Sequence, residues 1–204
     1  MAGYSTAAVI ANGNIDIVFG LAQGFNYYKY LQQVRVGDAL ARSEHVNEAV
    51  SHWLDRRPSE RPFFLYIHTI DPHLPYDPPQ PYRGRFAGRI SDPELGSLES
   101  INNLNSDKSR MTPETLEGLT GLYDAEIAAN DTAFGALVAD LKERGLYDSS
   151  VIVVLSDHGE ELFDHRGFSH GNTLFEEVLR VPLAIRFPDR RPPRRVASVV
   201  EQVD

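Results

Sequence analysis

An Asp-His pair at the end of an apolar run is the strongest chemical signal in the sequence. Residues 156–160 read Ser-Asp-His-Gly-Glu and directly follow the apolar run 151–155. Carboxylate oxygen and imidazole nitrogen suit a divalent cation, and Gly159 allows a sharp turn that lets both side chains converge. We therefore predict Asp157 and His158 as metal ligands. The alternative is that Asp157 caps a helix and His158 is a buried polar residue.

A second histidine lies in a proline-rich segment that also follows an apolar run. Residues 71–79 read Asp-Pro-His-Leu-Pro-Tyr-Asp-Pro-Pro and come soon after the run 63–68. Proline restricts the backbone and would hold His73 in a fixed orientation. A histidine held at the end of a strand can bind an anion or donate a proton. A packed proline-rich turn is the alternative interpretation.

His170 is the third candidate, because it lies between small residues that allow a ligand to approach closely. It belongs to residues 167–177, which read Gly-Phe-Ser-His-Gly-Asn-Thr-Leu-Phe-Glu-Glu. Ligands of open α/β sheets collect beyond the carboxyl ends of the strands. Three histidine-bearing loops at the edges of one sheet would therefore form an anion site beside a metal. Packing could explain any one of these histidines, but it explains the occurrence of all three less well.

The remaining histidines carry weaker signals. His68 lies on an apolar run and is expected in the core or behind the metal ligands, whereas His165 is expected in a surface loop rather than in the pocket. His45 and His52 lie in a helical pattern and are predicted to be solvated. Residues 160–161, both Glu, could orient the metal ligands or simply begin a helix.

Alternating strands and helices would position these motifs. The sequence predicts strands at residues 9–12, 63–68, 151–155 and 181–187 and helices at residues 44–56 and 112–144. Two of the strands, 63–68 and 151–155, are almost uninterrupted apolar runs, which is typical of strands buried on both faces. The alternation predicts an α/β fold in which a mostly parallel sheet lies between helices.

Three segments are predicted to be irregular. Residues 20–30 contain several aromatic side chains with glycines between them. Residues 71–105 are rich in proline, glycine and serine. The second of these is long enough to predict an excursion over the surface of the domain. The proline- and arginine-rich residues 188–195 are predicted to be a solvated loop rather than a binding patch.

Composition excludes several functional classes. The chain has 204 residues and a net charge of −9, which argues against nucleic acid or an anionic membrane as the main partner. A small anionic substrate stays compatible, because a metal and a few cations can reverse the local field. The absence of cysteine excludes disulfides, thiolate metal sites and a cysteine nucleophile. No apolar run is long enough for a transmembrane helix.

Four stretches resemble motifs of the sulfatase family, in the alkaline phosphatase superfamily, and they occur in the family's order. They are residues 62–66 with 71–73, residues 123–127 with Asp131, residues 155–160, and residues 170–183. The resemblance covers nearly the whole chain. It implies an alkaline phosphatase-like α/β fold that is incomplete, so that residues 1–204 form a single partial catalytic domain.

The family's nucleophile is a formylglycine made from the first residue of a Cys/Ser-x-Pro-x-Arg motif. Residues 91–95 read Ser-Asp-Pro-Glu-Leu and lack the arginine. The resemblance implies that the true motif and the aspartates of the family's first strand lie upstream. We therefore expect the fragment alone to be inactive. Any secretion signal would also lie upstream, so the compartment stays open, with the periplasm and the cell exterior both compatible.

The resemblance also implies roles for the candidate residues. Asp157 and His158 would be two of about four ligands of a divalent metal, and His73 and His170 would contact the ester oxygens, one of them protonating the leaving alcohol. Many sulfatases have Asn at the position of His158 and bind calcium, whereas histidine there suits manganese, zinc or iron better. Many also have Lys at the position of His170.

The expected activity of the full-length protein is hydrolysis of a small anionic sulfate monoester. The two departures from the common sulfatase pattern, at His158 and His170, leave alternatives open. One is hydrolysis of phosphodiesters or phosphonate monoesters, or transfer of a phospho group, on the same scaffold. The other is a fragment that is not catalytic as it stands.

Overall fold

The computed structural model describes residues 3–31, 42–88, 90, 92–189 and 191–202. The strands are β1 (Ser5–Ile10), β2 (Tyr27–Tyr30), β3 (Phe63–His68), β4 (Ile152–Leu155), β5 (Glu161–Leu162), β6 (Phe168–Ser169) and β7 (Leu183–Arg186). The helices are α1 (Ser43–Arg56), α2 (Tyr82–Phe86), α3 (Leu98–Ser106), α4 (Pro113–Glu143) and α5 (Glu176–Leu179). Short 3₁₀ turns span Gly13–Ile15, Ile17–Phe19 and Lys108–Arg110.

A parallel sheet forms the centre of the fold. Within the described ranges its strand order is β2-β1-β3, with β1 paired to a parallel neighbour on each side. Residues 7–10 of β1 are wholly buried, as expected of a central strand covered by helices. Helices α1 and α4 supply the facing apolar side chains, which include Val46, Val50, Trp53, Leu137 and Leu141. The predicted α/β architecture with a parallel sheet is confirmed.

The prediction that β3 is buried on both faces is wrong. Phe63, Leu65 and Ile67 pack against the core formed by α1 and α4, but Phe64 and Tyr66 on the other face are 55% and 42% exposed. Successive side chains of a strand point to opposite faces. Because α1 and α4 cover only the face of β3 that carries Phe63, Leu65 and Ile67, its apolar run becomes an alternation of more buried and more exposed side chains.

Strand β4 also departs from the prediction. It pairs antiparallel with β7 in a separate two-stranded sheet, and Val153, Val154 and Leu155 are 49%, 40% and 50% exposed. A narrow ribbon of two strands offers little cover to either face, so these apolar residues are not buried within this chain. The predicted strand at 181–187 is present as β7, but its pairing is antiparallel.

Two segments predicted to be irregular contain regular structure. Strand β2 lies within residues 20–30, and residues 71–105 include α2 and α3. The excursion is also not a surface loop, because its apolar side chains form a second core with the first half of α4. That core includes Leu74, Tyr76, Leu95, Ile101, Leu104, Leu119 and Leu122.

Helix α4 joins the two cores. It begins as predicted after Thr112, whose hydroxyl accepts a hydrogen bond from the backbone N–H of Thr115 at 3.1 Å, with proline at its first position. It ends before Gly145, which has a positive φ of 68°. Its apolar side chains are only partly buried, since Ile127 and Phe134 are 44% and 36% exposed. None of the described helices is both long enough and apolar enough to cross a bilayer.

Candidate active site

The carboxyl ends of β3 and β4 meet at one point, although the two strands are not paired with each other. His68 is the last residue of β3, and Asp157 follows β4 by two positions. The imidazole Nε2 of His68 lies 3.8 Å from Oδ2 of Asp157. The side chain of His68 is 16% exposed and that of Asp157 is 62% exposed, so the histidine lies behind an aspartate that faces outward.

His158 is held in one tautomer by its own backbone. Its Nδ1 lies 2.8 Å from the carbonyl oxygen of Gly159. Because a carbonyl only accepts hydrogen bonds, Nδ1 carries the proton and Nε2 keeps a lone pair. That Nε2 lies 3.8 Å from Oδ1 of Asp157. The two predicted ligands therefore present a nitrogen and an oxygen to the same space.

Gly159 is required by the packing of this turn. Its N–H donates to the carbonyl oxygen of Val178 at 2.7 Å, and a Cβ at this position would collide with the backbone carbonyl of Glu177. The close approach anchors the segment that follows β4 against α5. It fixes the backbone on which Asp157 and His158 are placed.

Three histidine rings form a row beside Asp157. The ring of His170 lies over that of His158, with centroids 3.8 Å apart and an interplanar angle of 31°. On its other side it meets the ring of His73 edge to face, with centroids 5.1 Å apart. The structure thus brings together the four residues that the sequence singled out, from three separate loops.

His73 is oriented in the same way as His158. Its Nδ1 lies 2.6 Å from the carbonyl oxygen of Leu74, so the proton is on Nδ1 and Nε2 is available to a ligand. His73 is exposed, whereas its neighbours Leu74 and Tyr76 are buried. The segment therefore anchors itself in the core and leaves the imidazole at the surface of the site.

Glu160 connects His170 to the second core. Its Oε1 lies 3.0 Å from Nδ1 of His170, and its Oε2 accepts a hydrogen bond from the hydroxyl of Tyr76 at 3.0 Å. The Glu160 side chain is 5% exposed. Burial, followed by the charge of Glu160, raises the pKa of Tyr76 well above its usual value, so the hydroxyl stays protonated and keeps donating.

The sequence indicated a possible role of Glu160 toward the metal ligands and gave no indication of Tyr76. In the structure Glu160 contacts a predicted substrate-binding histidine instead. The signal that could have identified Tyr76 is its position in the same proline-rich segment as His73, three residues further on. A rigid segment that presents one residue to a site also places its neighbours there.

His68 is partly buried and lies behind Asp157, with its side chain 16% exposed. Burial lowers the pKa of the His68 imidazole, and the negative charge of Asp157 opposes this effect. Nδ1 of His68 is buried without a hydrogen-bond partner among the described residues. The ring is therefore held close to Asp157 in a position where the neutral form is favoured.

Asp157 and His158 supply donors that fit a divalent metal of the manganese or zinc type. A carboxylate oxygen and an imidazole nitrogen whose tautomer is fixed by a carbonyl are the usual arrangement at such sites. Two ligands alone do not fill a coordination shell. A metal held here would therefore need further donors besides these two.

A second group of potential ligands lies nearby, with donor atoms within 4.8 Å of one another, and consists of Glu161, His165 and Glu177. Hydrogen bonds already explain this group. Glu161 Oε1 accepts from the N–H groups of Gly167 and His165 at 2.7 and 3.2 Å, and Nδ1 of His165 lies 2.6 Å from Glu177 Oε1. These contacts stabilise the turn between β5 and β6, where His165 is exposed, as predicted.

The two histidines of α1 differ from each other. His52 is exposed, as predicted. His45 is only half-exposed, because its Nδ1 accepts a hydrogen bond from the backbone N–H of Arg42 at 3.1 Å and so helps to begin the helix. The tail 188–195 is exposed in its described residues.

A sequence model of the family described as Sulfatase matches residues 1–204 of this chain. The chain belongs to the sulfatase family. The endo-4-O-sulfatase of Bacteroides thetaiotaomicron is 29% identical over 138 residues, which are 68% of this chain and 26% of that protein. The arylsulfatase of Clostridium perfringens is 28% identical over 166 residues, 78% of this chain and 34% of that protein. The chain thus spans between about a quarter and a third of the length of these two sulfatases.

Solved structures support the sulfatase fold. A protein crystallised with its substrate D-glucosamine-2-N,6-O-disulfate superposes with a TM-score of 0.67 at 19% identity, over 92% of this chain and 54% of that chain. The phosphonate monoester hydrolase of Agrobacterium radiobacter superposes with a TM-score of 0.67 at 20% identity, over 92% of this chain and 51% of its own. At 19% and 20% sequence identity, these comparisons show only that the folds are similar.

Proposed function

We propose that this sulfatase-family chain supplies the metal-binding and leaving-group side of an active site that hydrolyses sulfate monoesters. The observation that carries the proposal is the row of His158, His170 and His73 beside Asp157. The row combines a pair of metal donors with two imidazoles at contact distance. A sulfate ester needs both, because its oxygens carry negative charge and its alcohol leaves as an anion unless it is protonated.

Asp157 and His158 are the residues that would hold the divalent metal. When bound, such a metal neutralises charge on the ester oxygens and lowers the pKa of the nucleophile. The nucleophile, a formylglycine in this family, would come from outside residues 1–204. His68 would act from behind, keeping the carboxylate of Asp157 directed toward the site.

His73 and His170 are placed to bind the ester and to move a proton. In each, Nδ1 is engaged, with the carbonyl of Leu74 or with Glu160, which leaves Nε2 to face a substrate. In its cationic form, with a second proton at Nε2, such a ring can donate to an ester oxygen or pass that proton to the oxygen of the leaving alcohol. General acid help of this kind contributes about 10²–10⁴-fold to a rate.

The names of the relatives point to sulfated sugars and aryl sulfates as substrate classes. One relative is an endo-4-O-sulfatase and another, from Formosa agariphila, is an ulvan-active sulfatase. A structural neighbour holds a disulfated glucosamine. We propose a small sulfated carbohydrate or aryl sulfate as the substrate of the full-length protein.

The test measures hydrolysis of 4-nitrophenyl sulfate and of O-sulfated monosaccharides by the longest natural form of the protein. Matched assays use 4-nitrophenyl phosphate and a phenylphosphonate monoester. The proposal expects sulfate release that a chelator abolishes and a divalent metal restores, while residues 1–204 alone show no turnover. Faster cleavage of the phosphonate than of the sulfate, or full activity in the chelator, would overturn the proposal.

A further inference from the structure

Glu126 is a buried carboxyl group that no step of the proposed reaction uses. It lies in the middle of α4 and is 3% exposed. Its Oε2 is buried without a hydrogen-bond partner among the described residues. Burying a carboxyl group with an unsatisfied oxygen is unfavourable, so a residue of this kind in the middle of a helix indicates a function that an apolar side chain would not perform.

The other oxygen of Glu126 holds the backbone of the His73 segment. Oε1 accepts a hydrogen bond from the N–H of Asp77 at 2.9 Å. One helical turn further along α4, Nδ2 of Asn130 donates to the carbonyl oxygen of Asp71 at 2.9 Å. Residues four apart lie on the same face of a helix. Glu126 and Asn130 therefore hold the two ends of residues 71–77 from one face of α4.

Arg42, just before helix α1, and Ser43, its first residue, reinforce both ends of the same segment. Arg42 donates through Nη2 to the carbonyl oxygen of Asp77 at 2.6 Å. Ser43 donates through its N–H and its hydroxyl to Oδ2 of Asp71, at 3.1 and 2.8 Å. Within the segment, the N–H of His73 donates to the carbonyl oxygen of Ile70 at 2.9 Å and that of Tyr76 to the carbonyl oxygen of Gly96 at 3.0 Å, so the contacts from the two helices fix its two ends.

The segment positions two histidines of the candidate site. His73 is carried on it directly, and Tyr76 reaches Glu160, which in turn contacts His170. A displacement of residues 71–77 would therefore move the His73 ring and withdraw the Tyr76 hydroxyl from Glu160. The distance between the His73 and His170 rings, 5.1 Å between centroids, depends on this backbone.

We propose that Glu126 and Asn130 are positioning residues that clamp the ends of residues 71–77 and thereby set the placement of His73 relative to His170. The clamp acts on the backbone of the segment through one accepted and one donated hydrogen bond. Its importance for catalysis rests on the function proposed above for the two histidines. The placement itself is a property of the chain and is tested without substrate.

The test uses NMR of the uniformly ¹⁵N-labelled 204-residue chain, with side-chain labelling of histidine. Glu126→Leu removes the acceptor, and we expect exchange of the Asp77 amide hydrogen to accelerate about ten-fold while contacts between the His73 and His170 rings disappear. Glu126→Gln keeps an acceptor oxygen and should retain both signals. Asn130→Ala should shift the His73 ring signals in the same direction as Glu126→Leu. Glu117→Gln, an exposed change on the same helix, is the matched control.

Amide protection elsewhere in the chain separates the clamp from a general loss of structure. Glu126→Leu should keep the amide protection of β1 and of the second half of α4 while it alters residues 71–77. If the Asp77 amide and the ring contacts are unchanged in both Glu126→Leu and Asn130→Ala, or if Glu126→Gln fails as completely as Glu126→Leu, the proposal is wrong. None of these outcomes depends on the ester that the protein cleaves.

Discussion

Glu160 accepts a hydrogen bond from Nδ1 of His170 at 3.0 Å, and this contact determines which ring nitrogen can serve a substrate. With Nδ1 engaged, Nε2 is the atom available to an ester oxygen or to a leaving group. The second oxygen of Glu160 is held by Tyr76, so the carboxylate cannot easily turn away. Glu160 therefore joins the His170 ring to the buried Tyr76 side chain.

Replacing Glu160 should slow the reaction without emptying the metal site. We expect Glu160→Gln in the full-length protein to lower kcat for an alkyl sulfate by about 10–100-fold, the usual effect of losing a partner that orients a site residue. KM should change much less. Glu176→Gln, an exposed change on α5 with a side chain 81% exposed, is the control. Equal rates for Glu160→Gln and the control would contradict the role of Glu160.

Replacing Asp157 should act through the metal. An amide is a weaker ligand than a carboxylate, so we expect Asp157→Asn to lose bound metal and most of its activity, with partial recovery in excess metal. Metal content by elemental analysis and rate at rising metal concentration check the expectation together. If both metal content and rate stay intact, the turn after β4 is structural and the metal assignment fails.

His73 and His170 should be separable by leaving group. Each alanine variant is expected to fold, to keep its metal and to lose about 10²–10³-fold in rate, as is typical when one transition-state contact is removed. The histidine that acts as the acid should show a smaller defect on 4-nitrophenyl sulfate than on an alkyl sulfate, because a good leaving group needs no proton. A loss of stability with an unchanged rate per folded molecule would identify packing residues instead.

The sequence predicted which residues meet but not how the strands around them are covered. Asp157, His158, His170 and His73 could be grouped because polar residues after apolar runs collect at strand ends. Periodicity cannot tell a strand buried on both faces from one whose second face lies open in this chain. That limit explains why β4 was predicted to be buried, although Leu155 is 50% exposed.

The supporting contacts could not be predicted because they join distant parts of the chain. Glu160 and Tyr76 are 84 positions apart, and Glu126 and Asp77 are 49 apart. Nothing local in the proline-rich residues 71–79 indicates that Tyr76 is buried while His73 is exposed. Only tertiary packing against α4 decides which side chains of that segment face the core.

Stability should fall as pH rises through the titration of Glu126. Burial, followed by the charge of Asp71, raises the pKa of Glu126 from 4.5 to about 7. Between these values the folded chain binds a proton that the unfolded chain has released, so the free energy of unfolding decreases as pH increases from about 4.5 to about 7 and then levels off. A pKa raised this far corresponds to roughly 3 kcal/mol of stability. Glu126→Gln removes the titration, so urea unfolding at pH 5 and pH 8 should show the variant gaining stability relative to the parent chain at the higher pH.

The control is Glu117→Gln, an exposed change on the same helix. Its free energy of unfolding should depend on pH in the same way as that of the parent chain. If the stability of Glu126→Gln also changes with pH as that of the parent chain does, Glu126 titrates as an ordinary carboxyl group and its pKa is not raised by burial.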